Sequence, residues 1–157
     1  MLIGEISEIN KFLRCSQIHR FSLMWELTIN DLIMKNVISE QEVLLKQTYQ
    51  HFNERDIDAT LAMMHPEVDW PNGMEGGIEH GHEAVRNYWT RQWKVLDPHV
   101  DPVEFRSEDD GRINITVHQV VHDLEGNLLV DQIIHHIYTF EQGLIKTMEI
   151  QKPVDLE

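Results

Sequence analysis

Apolar positions along this chain change period as it proceeds. Between 40 and 53, Val43, Leu44, Gln47 and Phe52 fall near one face with Tyr49 beside it, which predicts an amphipathic helix. Asn53-Glu54-Arg55-Asp56 reads as a turn, and Asp56 or Asp58 caps a short helix carrying Ile57, Leu61 and Met64. Pro66 stops it. Glu67-Val68-Asp69-Trp70 reads as a strand closed by Pro71-Asn72-Gly73. A third helix over 83–95 places Val85, Trp89 and Trp93 on one stripe, with Tyr88 alongside, and Asp97-Pro98 ends it.

The period then drops to two. Ile113, Ile115 and Val117 alternate with Asn114, Thr116 and His118, as a half-buried strand requires. Strands are predicted at 99–108, 112–122, 127–141 and 144–151. The turns between the last four are Asp109-Asp110-Gly111, Glu125-Gly126-Asn127 and Gln142-Gly143. Helices first and long strands later describe an α+β domain in which a curved sheet wraps around helices.

Residues 1–37 form an N-terminal extension and 38–153 the main domain. Leu2, Ile6, Ile9 and Leu13 recur at helical spacing in the extension, and Phe21, Met24, Trp25 and Leu32 add apolar bulk. Two readings stay open. The extension is helical, or the native protein begins at Met34, where Ser39 and Glu42 would form a capping box for the next helix.

Acidic residues number 27 against 13 basic ones, a formal charge of −14. That field repels phosphate backbones and anionic bilayers, so neither nucleic acid nor membrane is an expected partner. No apolar run approaches the ~20 residues of a bilayer span, and Lys11, Arg14 and Arg20 interrupt any signal-peptide core. The lone Cys15 leaves no intramolecular disulfide and is compatible with a reducing, cytoplasmic setting.

Four stretches carry a family resemblance: Phe52-Asn53-x-Arg55-Asp56-x-Asp58-Ala59, His65-Pro66-Glu67-Val68-Asp69-Trp70, Gly81-x-Glu83-Ala84-Val85-Arg86, and Gly143-Leu144-Ile145. Over residues 40–151 the chain resembles the nuclear-transport-factor-2-like superfamily, in its SnoaL-like branch near polyketide cyclases and ketosteroid isomerases. The resemblance implies a cone, a strongly curved mixed sheet folded over three helices with a pocket at one end. It also implies a small apolar organic ligand, a homodimer, and chemistry that needs no metal or cofactor. The scaffold carries enzymes and non-catalytic binding or dimerisation modules alike. Ketosteroid isomerases use a Tyr on the first helix, a carboxylate base ending the first strand and a protonated Asp in a late strand. Here the base position holds Trp70 beside Asp69, the late-strand position aligns with His136, and the helical Tyr falls at Tyr49 after a one-residue shift.

The candidate chemistry follows. His136 and Tyr138 lie two apart on one strand and share a face with Gln132 and Ile134. An imidazole there serves as general acid or base, or as a core histidine bonded to a neighbour. Asp69 and Asp131 are the candidate carboxylate supports, and Tyr138 a donor to a developing enolate. Trp70, Trp89 and Tyr49 are candidate ligand walls, as are His118 and Gln119, whose roles depend on which strand face is concave. No metal is expected: His118 and His122 share a face but sit about 13 Å apart along an extended strand.

Overall fold

The structure, a computed structural model, describes the backbone of residues 3–152 and the side chains of 24–36 and 40–152. The stripe at Leu2, Ile6, Ile9 and Leu13, together with Cys15, Phe21 and the Ser39 side chain, lies outside the described residues. The chain divides into two compact units, Met1–Glu40 and Gln41–Glu157.

Helix α1 is Ile3–Asn53. In the first unit its described apolar side chains, among them Met24, Trp25 and Leu32, are exposed. The helix start expected at Ser39–Glu42 is corrected. Helical backbone runs through that stretch, so it has no free N–H groups for a capping box to satisfy.

The second unit holds the end of α1, then α2 (Ile57–Ala62), β1 (Met64–Pro71), β2 (Ile78–His80), α3 (Gly81–Gln92), β3 (Leu96–Ser107), β4 (Ile113–Asp123), β5 (Leu128–Glu141) and β6 (Leu144–Gln151). Its six strands make one mixed sheet in the order β2-β1-β6-β5-β4-β3. Only the β1–β6 pairing is parallel. Irregular register at Pro102/Glu104, Val121/His122 and Thr139/Phe140 marks bulges, which bend and twist a sheet. This is the expected α+β cone: a curved sheet over three helices.

Local chemistry explains the element ends. Asp56 is the cap of α2: its Oδ1 accepts the Ala59 N–H at 3.0 Å, which settles Asp56 over Asp58. α3 stops at Gln92 rather than 95, in a tight turn where the Lys94 and Val95 N–H groups bond back to Arg91 and Gln92. Asp97-Pro98 therefore opens β3 instead of closing the helix. β3 is an edge strand, where proline costs no internal ladder bond. The Gly-rich stretch yields a short strand, β2, that had no periodicity to announce it.

Two side chains from the α1–α2 corner fix β3 in place. Asn53 donates Nδ2 to the Val100 carbonyl at 2.8 Å and accepts the Val100 N–H at 3.0 Å. Arg55 pairs with Asp97 and donates to the Pro98 carbonyl at 2.8 Å. The core between sheet and helices is built on Leu45, Val68, Val85, Ile115, Ile134 and Ile145, each at most 1% exposed.

Candidate functional site

The inner sheet face is set by alternation. On β4, Ile113, Ile115 and Val117 point inward, and Gln119 and Val121 continue the same phase. On β5 the inward set is Ile134, His136 and Tyr138, paired across to Val117, Ile115 and Ile113. Near the end of the sheet this face does not close on the helices. A cavity of about 440 Å³ remains, walled by Trp70, Trp89, Gln119, Met148 and Ile150 among others. A void of that size accommodates a small organic molecule.

One buried polar chain runs along its wall. Tyr138 donates its hydroxyl to Tyr49 Oη at 3.0 Å, and Tyr49 Oη lies 2.8 Å from His136 Nδ1. The rings interlock, with Tyr49 stacked on His136 at 5.9 Å and edge-on to Tyr138 at 6.3 Å. All three line the cavity and are at most 5% exposed.

With Tyr138 as the donor to Tyr49, counting donors favours one tautomer. With the Tyr138 proton directed at the Tyr49 oxygen, the Tyr49 proton is free for His136 Nδ1. If Nδ1 carried the hydrogen instead, the Tyr49 proton would be buried without an acceptor and Nε2 would be a bare lone pair. The arrangement with fewer orphaned groups makes Nδ1 an acceptor and places the ring hydrogen on Nε2. That Nε2 has no hydrogen-bond partner among the described residues.

Burial acts in the same direction. Desolvation, followed by the neighbouring His135, lowers the His136 pKa from 6.5 to about 4. Burial also pushes the Tyr49 and Tyr138 hydroxyls up, Tyr49 being further raised by Tyr138. At neutral pH the relay is uncharged from end to end.

The structure brings together His136, Tyr138, Tyr49, Trp70, Trp89 and Gln119 at the cavity. It does not bring in Asp69, Asp131 or His118. Each lies on the other face of its strand, one residue out of phase with an inward neighbour. Asp131 accepts from His118 Nε2 at 2.7 Å, a pair in which both side chains are about half exposed. Asp69 lies 2.6 Å from His80 Nδ1, its cross-strand partner on β2. The expected carboxylate support for His136 is therefore corrected: among the described residues, no carboxylate lines the cavity. The choice between His118 and Gln119 is settled for Gln119, whose Oε1 accepts from Gln132 Nε2 at 2.8 Å inside the cavity.

Sequence reasoning missed Gln92. It sits one turn beyond Tyr88 on α3, donates Nε2 to Tyr88 Oη at 2.9 Å and lines the cavity. The i, i+4 spacing from Tyr88 was the available signal. Trp70 and Trp89 serve both core and wall: their rings meet edge-on at 5.5 Å, and Trp89 is 1% exposed.

A family model described as SnoaL-like domain matches residues 45–148. No sequence among curated proteins matches the chain. Solved structures share the fold. An NTF2-like protein of unknown function from Burkholderia pseudomallei is 26% identical, with TM-score 0.64, over 73% of this chain and 91% of that one. TerC, co-crystallised with polyporic acid, is 27% identical, with TM-score 0.64, over 73% and 92%. SalBIII, an epoxide hydrolase/cyclase-like enzyme in pyran ring formation in the polyether salinomycin, is 16% identical, with TM-score 0.62, over 74% and 92%, and shows the fold alone.

Proposed function

The chain belongs to the SnoaL-like family, and from that premise we propose that its cavity binds a small, largely apolar carbonyl compound whose oxygen accepts the His136 Nε2–H. One observation carries this reading: the Tyr138–Tyr49–His136 relay ends in a buried ring nitrogen with no partner among the described residues. A buried donor left unmet costs roughly 1–3 kcal/mol. A carbonyl oxygen from the ligand removes that cost, and the aromatic wall takes the rest of the molecule. The co-crystallisation of TerC with polyporic acid supports an organic ligand as the occupant of this scaffold.

The chemistry that follows is cofactor-independent and of cyclase, isomerase or hydratase type. His136 acts as a neutral donor that stabilises the negative charge developing on the carbonyl oxygen when water in the cavity takes the proton from the α-carbon, as preorganised donors do. It is not the base, because Nδ1 is occupied by Tyr49 and Nε2 already holds its proton. Tyr138 acts through Tyr49 by holding that tautomer. A second reading, binding without turnover, is favoured by the cavity wall, in which no described residue is a carboxylate. The homodimer is a separate proposal; it would use the outer sheet face, where Ile133 is 44% exposed. None of the described helices is long and apolar enough to cross a membrane.

Paired probes test the binding. 1-Tetralone should raise the melting temperature more than tetralin, its hydrocarbon counterpart, and His136→Phe should erase the difference. Equal shifts from both compounds in the wild type would refute the carbonyl site. Turnover is read separately, as protein-dependent deuterium exchange at the ketone α-carbon in D2O. Exchange above the protein-free rate supports the enzyme, and exchange at that rate supports the binding module.

A further inference from the structure

Among the described residues that wall the cavity, one is charged at neutral pH, and its sign runs against that of the chain. Lys152 lines the cavity and is exposed, so it stands where the cavity meets water. The strand puts it there. Along β6, Met148 and Ile150 face inward, while Glu149 and Gln151 take the outer phase and are exposed. Lys152 continues the inward phase one residue past the strand end.

Composition does not account for this cation. Acidic residues outnumber basic ones 27 to 13, yet the described wall holds a lysine and no carboxylate. The long-range field of the protein repels anions, but salt screens it beyond roughly 8–10 Å, so the local sign decides at the opening. Lys146, also on β6, does not line the cavity and is paired with Glu141 at 3.4 Å and Glu67 at 3.8 Å. A lysine at a cavity edge lays its four-carbon stem along apolar surface and keeps its ammonium in water. An anion meeting it there stays partly hydrated and avoids the desolvation cost of a buried pair.

Register sets the spacing to the other polar group. Ile150 is the cross-strand partner of His136, and Lys152 is the next inward position. The two residues therefore lie on a diagonal of the inner face, roughly 7–8 Å apart. We infer that the ligand is an organic acid: a largely apolar carbonyl compound whose carbonyl oxygen lies at His136 and whose carboxylate, carried elsewhere on the same ring system, pairs with Lys152 at the opening. The inference rests on the carbonyl site proposed above and adds the charge of the ligand. A neutral group at the opening gains nothing from the ammonium, and a cationic one is repelled.

The test uses the full chain and titration calorimetry with the 5-, 6- and 7-carboxylic acids of 1-tetralone and their primary amides, pairs that differ mainly in charge. At least one acid should bind about threefold to tenfold more tightly than its amide, the range of a partly exposed ion pair. Raising the salt from 50 to 500 mM should shrink that ratio. Lys152→Met should bring the ratio of acid to amide affinity to one or below, Lys152→Arg should keep it, and Lys152→Glu should reverse it. Acids no tighter than their amides in the wild type, or a preference that survives in Lys152→Met, would overturn the anion subsite while the carbonyl site stands. The preference for 1-tetralone over tetralin, and its loss in His136→Phe, reports on the carbonyl site alone. Failure of every compound to bind the wild type would overturn both.

Discussion

Trp89→Ala should destabilise the protein by about 3–5 kcal/mol, the range for truncating a buried Trp. Trp89 is 1% exposed and sits at the centre of an aromatic group. Its ring is edge-on to Phe52 at 5.3 Å and to Trp70 at 5.5 Å, and stacked on Trp93 at 5.9 Å. Each such pair adds about 0.5–1.5 kcal/mol beyond the area it buries. The wall is already hollow on one side, so the truncated side chain leaves a space that neighbours cannot fill by a simple shift. Trp93→Ala, at a half-buried position of the same group, should cost clearly less. Urea unfolding of the two variants measures the difference, and equal losses would mean that Trp89 is not the keystone of this wall.

Acid should find the weak point at His136. Its folded pKa is about 4 against 6.5 unfolded, so between those values the unfolded chain binds the extra proton. Stability contributed by the neutral ring is therefore complete above pH 6.5 and lost as pH falls toward 4. The gap corresponds to about 3 kcal/mol by proton linkage. His136→Phe removes the titrating group and should flatten that part of the stability profile. The wild type should lose about 3 kcal/mol more than the variant between pH 7 and pH 4. Parallel profiles would place the ring in contact with solvent or with a charged partner.

Much of the cone was legible because alternation is a strong signal wherever one sheet face is buried. Ile113, Ile115 and Val117 announced the inner face of β4, and extending their phase by one more step reaches Gln119 and leaves His118 outside. His136 and Tyr138 were placed together by the same period. Tyr49 required the fold: only the packing of α1 under the sheet shows that its hydroxyl meets the His136 ring. Asp69 and Asp131 misled because a carboxylate beside an apolar strand position reads as a buried base. One step of pleat instead sends each outward to an imidazole, His80 or His118. The end of α3 was drawn too long because Trp93 fits the helical stripe although its backbone has already turned. Gln92 was missed because its i, i+4 spacing from Tyr88 is a faint signal, and only the fold shows its amide meeting the Tyr88 hydroxyl beside the cavity.

The central claim is the state of one ring, and nitrogen NMR of selectively 15N-labelled histidine observes it directly. The His136 signals should show a hydrogen on Nε2 and a bare, hydrogen-bonded Nδ1 from pH 8 down to about pH 5, switching to Nδ1–H or an averaged tautomer in Tyr49→Phe. A ring that is protonated near pH 6.5, or that carries its hydrogen on Nδ1 in the wild type, would contradict the account.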